Sequence, residues 1–233
     1  RDRLGKKPLH YFNDGSRFIF ASEIKSLLCF SDIAREIDWQ SFEEYFTFGF
    51  ISAPKTIYRT IRKVLPGHLL IVEDGRIEEK PFWNLAVSEP TTMSEEEAGL
   101  QLREKIREAV RLRMISDVPL GAFLSGGIDS SIVVAAMAEV SPKPVKTFSI
   151  GFGESDYDET RYARMVAQKF GTDHTEEVVS PDYAEILESI LNDFDEPFGD
   201  SSALPTYVVS KLTRKHVTVV LSGDGGDELF GGY

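Results

Sequence analysis

The sequence predicts an α/β chain whose C-terminal part is a doubly wound parallel sheet, and three observations carry that expectation. After residue 118, apolar runs of strand length alternate with longer amphipathic runs: strands at 120–124, 145–150, 175–179 and 217–221, helices at 129–138, 158–170, 182–191 and 203–215. Strand–helix alternation of this kind implies parallel pairing through right-handed crossovers. Two of the strands end in one tripeptide, Leu124-Ser125-Gly126 and Leu221-Ser222-Gly223. The first 90 residues read differently, as short strands joined by Asn, Asp and Gly turns.

In chain order, 9–12 and 17–21 form a hairpin around Asn13-Asp14-Gly15-Ser16. Ser22 is expected to cap a helix over 23–30, and Asp38 another that carries Phe42, Tyr45 and Phe46 on one face. Pro66-Gly67 makes a turn before a second hairpin, 68–72 and 76–80. His10 and His68 lie in or beside strands with no second His or Cys at ligand spacing, so packing or solvation accounts for both. The hydrophobic period fades over 85–93, where Ser88 and Pro90 stand with two threonines. We place a domain boundary there, giving domains 1–88 and 92–233. Ser94 with Glu97 three residues on is a capping box, opening a helix with Leu102, Ile106, Ala109 and Val110 on one stripe. Further on, Gly171 ends the helix that starts at Asp158, and Asp182 opens the next.

Charge separates the two parts. Residues 1–90 hold 13 Lys+Arg and 13 Asp+Glu of the chain's 26 and 38, so the whole net charge of −12 lies in 91–233. An acidic half disfavours a nucleic-acid partner, which calls for a basic face, and suits a site that handles Mg²⁺ with its phosphates. No apolar run approaches membrane-span length and no leader pattern is present, so a cytoplasmic location is expected. The single cysteine, Cys29, sits in an apolar run and is expected to be a buried structural thiol. With no initiator Met and an end inside a Gly-Gly-Tyr233 motif, the sequence reads as a fragment.

The chemistry centres on Leu124-Ser125-Gly126-Gly127-Ile128-Asp129-Ser130-Ser131, between a strand and a helix. Loop amides and the helix N-terminus converge there, a suitable cradle for phosphate or pyrophosphate. Ser125, Ser130 and Ser131 add hydroxyls, and Asp129 adds a carboxylate for a cation; the alternative is a plain Ser/Gly turn with Asp129 as helix cap. No lysine follows the glycines, so this is not the common P-loop. If the fourth strand lies beside the first, the Leu221–Asp227 loop faces the same crevice, where ligands of open parallel sheets bind. Asp224, Asp227 and Glu228 lack EF-hand spacing. Phe148-Ser149-Ile150-Gly151-Phe152, ending the second strand, would lie beside the first loop. Glu154, Asp158 and Glu159 after it suit a helix start.

These residues carry a family resemblance. The run 125–131 resembles the pyrophosphate loop of ATP pyrophosphatases, the Rossmann-like PP-loop fold. With 148–152 and 221–233 added, the chain resembles the synthetase domain of glutamine-hydrolysing asparagine synthetases. Residues 1–9, 21–27 and 65–68 resemble the closing part of that family's N-terminal glutaminase, an α+β N-terminal-nucleophile sandwich. The resemblance implies adenylation of aspartate by ATP with Mg²⁺, release of pyrophosphate, and amidation by ammonia from glutamine. It matches Ser125, Gly126, Gly127, Ser130 and Ser131 to the pyrophosphate loop and Asp129 to a Mg²⁺ ligand. Leu124, Ile150, Ser222 and Gly223 match ATP-contacting positions, and Asp224 and Asp227 are the catalytic candidates. The partners it implies are aspartate, ATP and glutamine or ammonia, without nucleic acid or membrane, and a homodimer is the assembly to test.

Two departures go with it. Asparagine-forming members usually carry Glu where Asp224 stands, which bears on the acceptor more than on adenylation. The family's N-terminal cysteine nucleophile, glutamine-binding loops, second Mg²⁺ carboxylate and downstream lysine match nothing here, Cys29 included, so this stretch by itself is not expected to hydrolyse glutamine. The rival functions are a related ligase acting on another carboxylate (β-lactam, lasso-peptide or polysaccharide-associated), a non-catalytic nucleotide-binding module, and a nucleic-acid-modifying pyrophosphatase.

Overall fold

The computed structural model describes residues 1–86, 90–152, 159–179 and 183–232. Ser88, Glu154, Asp158, Asp182 and Tyr233, singled out above, lie outside the described residues. The chain divides into two units, one of residues 1–90 with 187–201, the other of 91–186 with 202–233.

In the first unit β1 (His10–Asn13) pairs antiparallel with β2 (Phe18–Ala21) through the expected hairpin, where Asp14 accepts from the amides of Ser16 and Arg17. The other edge of β1 takes β3 (Ile61–Lys63), a three-residue strand too short to announce itself by alternation. Against the sheet lies α1 (Ile24–Leu27), whose Ile24 and Leu27 join Phe12, Ile33 and Ile61 in one buried cluster. That face is complete without Cys29, which is exposed rather than buried, because it follows the one turn that faces the core. The expected Ser22 cap is also corrected: α1 is shorter, with Glu23 at its N-cap and no side-chain cap of its own. Its first amides are met from far along the chain, by the carboxylate of Asp195 at 2.6 Å from Ile24 N and 3.3 Å from Lys25 N. The next residue, Glu196, accepts from Ile57 N at 3.2 Å and pairs with the largely buried Lys63. Gly199 N donates to Gly49 O at 2.8 Å, so a stretch from late in the sequence finishes the first unit. Asp38 caps α2 (Trp39–Phe48) by accepting from Gln40 N, as its position predicts. The second hairpin is β4 (His68–Glu73) with β5 (Arg76–Pro81).

The second unit opens with α3 (Glu95–Arg113), capped by Ser94, which accepts from Glu97 N. Then come β6 (Leu120–Phe123), α4 (Ile128–Val140), β7 (Lys146–Phe152), α5 (Thr160–Phe170), β8 (Asp173–Val179), α6 (Tyr183–Asp193), which ends among the residues of the first unit, α7 (Ala203–Thr213) and β9 (Val219–Leu221). All four strands are parallel, in the order β8-β7-β6-β9. β7 and β8 are added outward from β6 and the fourth strand, β9, returns to its other edge, the doubly wound arrangement with its reversal at β6 and β9. Val110 of α3, Val134 and Met137 of α4, and Ala163 and Ala167 of α5 pack with Ala122 and Leu124 into one core. The apolar faces of the helices thereby cover parallel strands that cannot stand open to water. A final one-turn helix, α8 (Gly226–Phe230), was not expected from its acidic sequence; Glu228 accepts from Gly225 N at 2.9 Å at its start.

Candidate active site

The site is built where β6 and β9 end side by side. Leu120 pairs with Val219, Gly121 with Val220 and Ala122 with Leu221, so the two Leu-Ser-Gly tripeptides leave adjacent strands in the same direction. Leu124 is buried and its amide donates to Phe148 O at 2.9 Å, tying the start of the first loop to β7. Ile150 lies two residues further along that strand, half-buried.

Inside the first loop the hydroxyls bind one another. Ser125 Oγ is 2.9 Å from Ser130 Oγ, and Gly127 N donates to Ser125 Oγ at 3.2 Å. Ser130 Oγ, buried, also accepts from Ser125 N at 3.3 Å. Ser131 Oγ donates to Gly127 O at 2.6 Å. These bonds fix a turn that ends at Gly127, the residue that caps α4. Asp129 is therefore not the cap suggested by the plainer alternative; it stands in the first turn of the helix, where a carboxylate suits the positive end of the helix dipole. The first amides of that turn have no partner within the helix, the usual state of an N-terminus and the one that attracts anions. Gly126 sits at φ 89°, and a Cβ there would stand 2.6 Å from Ala163 N of α5, so the loop lies hard against that helix.

The second loop is pressed onto the first. A Cβ on Gly223 would be 2.8 Å from Ser130 N and 2.9 Å from Asp129 Cβ, and one on Gly226 would collide with the Asp129 carboxylate. Asp129 and Ser130 of the first loop therefore lie in contact with Gly223 and Gly226 of the second. Asp224 and Asp227 are exposed. Asp224 accepts from Ser222 Oγ at 2.9 Å, and the Asp227 carboxylate lies by Gly232, with its carbonyl accepting from Gly231 N and Gly232 N. Among the described residues no group of three or more His, Cys, Asp or Glu is arranged to hold a metal.

Sequence reasoning missed His174, whose ring joins Thr147 and Ser149 on β7. The available signal was two hydroxyl residues in alternation within an apolar strand, polar groups that burial obliges to find partners.

A family model described as asparagine synthase matches residues 101–233, and one described as a glutamine amidotransferase domain matches residues 1–83. A putative asparagine synthetase [glutamine-hydrolyzing] 2 of Methanocaldococcus jannaschii is 45% identical over 241 residues, covering 100% of this chain and 46% of that protein. Asparagine synthetase [glutamine-hydrolyzing] 1 of Bacillus subtilis is 41% identical over 236 residues, with 100% and 37% covered. The chain therefore spans less than half the length of either relative. A solved structure of NMN synthetase from Francisella tularensis aligns with 60% of this chain and 59% of its own, at 16% identity and a TM-score of 0.40.

Proposed function

Because the chain belongs to the asparagine synthase family, we propose that its protein is an ATP-dependent ligase that activates the side-chain carboxylate of aspartate and amidates it with ammonia from glutamine. In the first step a carboxylate oxygen attacks the α-phosphorus of ATP and the bond to the β-phosphate breaks, giving β-aspartyl-AMP and pyrophosphate. Ammonia then attacks the acyl carbon and AMP leaves, giving asparagine. Residues 1–88 belong, on this reading, to the glutaminase domain that supplies the ammonia, and 92–233 to the synthetase domain.

One observation carries the proposal: two adjacent parallel strands end in Leu-Ser-Gly, with the second loop resting on Asp129 and Ser130 of the first. The step most in need of help is departure of pyrophosphate, on which negative charge builds. The amides of the 125–131 loop would meet that charge already oriented, held in place by the Ser125, Ser130 and Ser131 hydroxyls, which bond within the loop, so little reorganisation is required during the reaction. The N-terminus of α4 adds its dipole. Leu124, Ile150, Ser222 and Gly223 flank the rest of the nucleotide. Asp129 would be the residue to hold Mg²⁺, a single carboxylate in the first turn of α4. Bound there, Mg²⁺ would neutralise charge on the leaving group.

Asp224 and Asp227 stand beyond β9, where the acyl-adenylate would form. Asp224 supports a second reading, a ligase for a different carboxylate, because its side chain is shorter than the family's usual Glu by one C–C bond, about 1.5 Å. The test is pyrophosphate release by the purified full-length protein with ATP, Mg²⁺ and a panel of carboxylates. Release that requires aspartate is the expected result; equal release without it overturns the first reading. Asp129→Ala should keep the fold and lose Mg²⁺-dependent release, and unchanged turnover would remove the metal role.

A further inference from the structure

The sheet that carries both loops contains a line of side-chain hydrogen bonds to which the proposed chemistry gives no task. Thr172 Oγ1 is 2.8 Å from Thr147 Oγ1, Thr147 Oγ1 is 2.9 Å from His174 Nδ1, and His174 Nε2 is 3.2 Å from Ser149 Oγ. Thr147 and Ser149 are buried, and the His174 side chain is 12% exposed. His174 and Thr147 are direct partners in the β7–β8 register. One ring therefore spans two residues of β7 from the neighbouring strand.

The residue between those two hydroxyls is Phe148, whose carbonyl accepts from Leu124 N at the entrance to the first loop. The residue after Ser149 is Ile150. A neutral imidazole offers one donor and one acceptor, and a hydroxyl can serve as either, so both ring nitrogens are satisfied in either tautomer. Burial lowers the imidazole's proton affinity, with Arg164 acting in the same direction and Glu176, 4.0 Å from Nε2, opposing it. Glu176 is itself engaged by Arg164 at 2.9 Å from α5.

We infer that His174 is a positioning residue for the nucleotide site, its two ring nitrogens holding the 147–149 stretch of β7 so that Phe148 fixes Leu124, and with it the Ser125–Gly127 turn. This rests on the ATP reading above. The ring touches no loop residue among its hydrogen bonds, so its effect reaches the nucleotide through backbone placement. It should appear in binding of ATP and not in the chemical step.

The experiment uses the full-length protein and compares wild type with His174→Ala and His174→Gln, measuring Mg·ATP binding by calorimetry and the kcat and KM of pyrophosphate release. His174→Ala should weaken ATP binding about tenfold, with kcat changed less than about threefold. His174→Gln keeps a polar atom within reach of Ser149 and should recover most of the affinity, as should added imidazole with His174→Ala. A residue serving only the core would lower the melting temperature while leaving ATP affinity and the imidazole response flat, and that result overturns the proposal. If His174→Ala does not fold, Ser149→Ala removes the contact nearest Ile150, and unchanged affinity there overturns it equally. A wild-type protein that binds no ATP overturns the nucleotide reading itself; wild-type binding with indifferent variants overturns only the role of His174.

Discussion

The two loops that end β6 and β9 begin with the same three residues and are held by different groups, hydroxyls in the first and carboxylates in the second. The first spends its hydroxyls on itself, with Ser125, Ser130 and Ser131 bonded to one another or to Gly127, and it opens a helix of 13 residues. The second opens a helix of five residues, bonds Ser222 to Asp224 and Gly225 to Glu228, and lies against Asp129 and Ser130. Its charged side chains, Asp224 and Asp227, are exposed. A rigid, self-bonded cradle suits a group common to every turnover, such as pyrophosphate.

Substitutions can break this contrast in graded steps. Gly126→Ala should do the most, since it forces a side chain into left-handed backbone and against the backbone of α5. We expect it to destabilise the second unit by about 3 kcal/mol in urea unfolding. Gly223→Ala comes next, a Cβ 2.8 Å from Ser130 N without a positive φ. It should cost about 1–3 kcal/mol and separate the loops, so ATP binding should fall with it. Ser130→Ala removes the hub of the hydroxyl network and should cost about 1 kcal/mol in the same assay.

Acid should bear on both units to a smaller extent. Burial lowers the pKa of His10 in the first unit and of His174 in the second. The native state then resists protons that the unfolded chain accepts, so stability is complete above the unfolded value near 6.5 and declines as pH falls below it. A pH series of unfolding midpoints should show this, with a shallower slope for His174→Gln. The smallest effect belongs to Gly127→Ala, whose Cβ would meet only Ser125 Oγ at 3.3 Å; a change of about 0.5 kcal/mol or less is expected. A large loss there would mean the first loop is less self-sufficient than its hydrogen bonds suggest.

What could be read in advance follows from the range over which each signal acts. The parallel sheet, the return of the fourth strand beside the first and the caps Asp38 and Ser94 were legible, because strand length, loop chemistry and capping depend on near neighbours. The adjacency of the two loops hung on the fourth strand returning beside the first, the pairing that β6 and β9 make. β3 was too short to show a period, and α8 was hidden by its acidic composition. Ser22 looked like a cap because the true one, Asp195, is 171 residues from the amide it meets. Cys29 looked buried because its neighbours are apolar, yet a single turn presents only Ile24 and Leu27 to the core. His174 gave no local sign, since its partners lie on another strand.

The carboxylates of Asp195 and Glu196 also set a timetable for synthesis. Residues 1–90 leave the ribosome with the amides of Ile24 and Ile57 and the ammonium of Lys63 still waiting for them. About 100 further residues must be made first, roughly 5–20 s at 5–20 residues per second. During that interval the early hairpins exist without the stretch that finishes their unit. A gene cut at residue 90 would make the interval permanent, and the shorter product should survive only when a peptide spanning 187–201 is supplied with it.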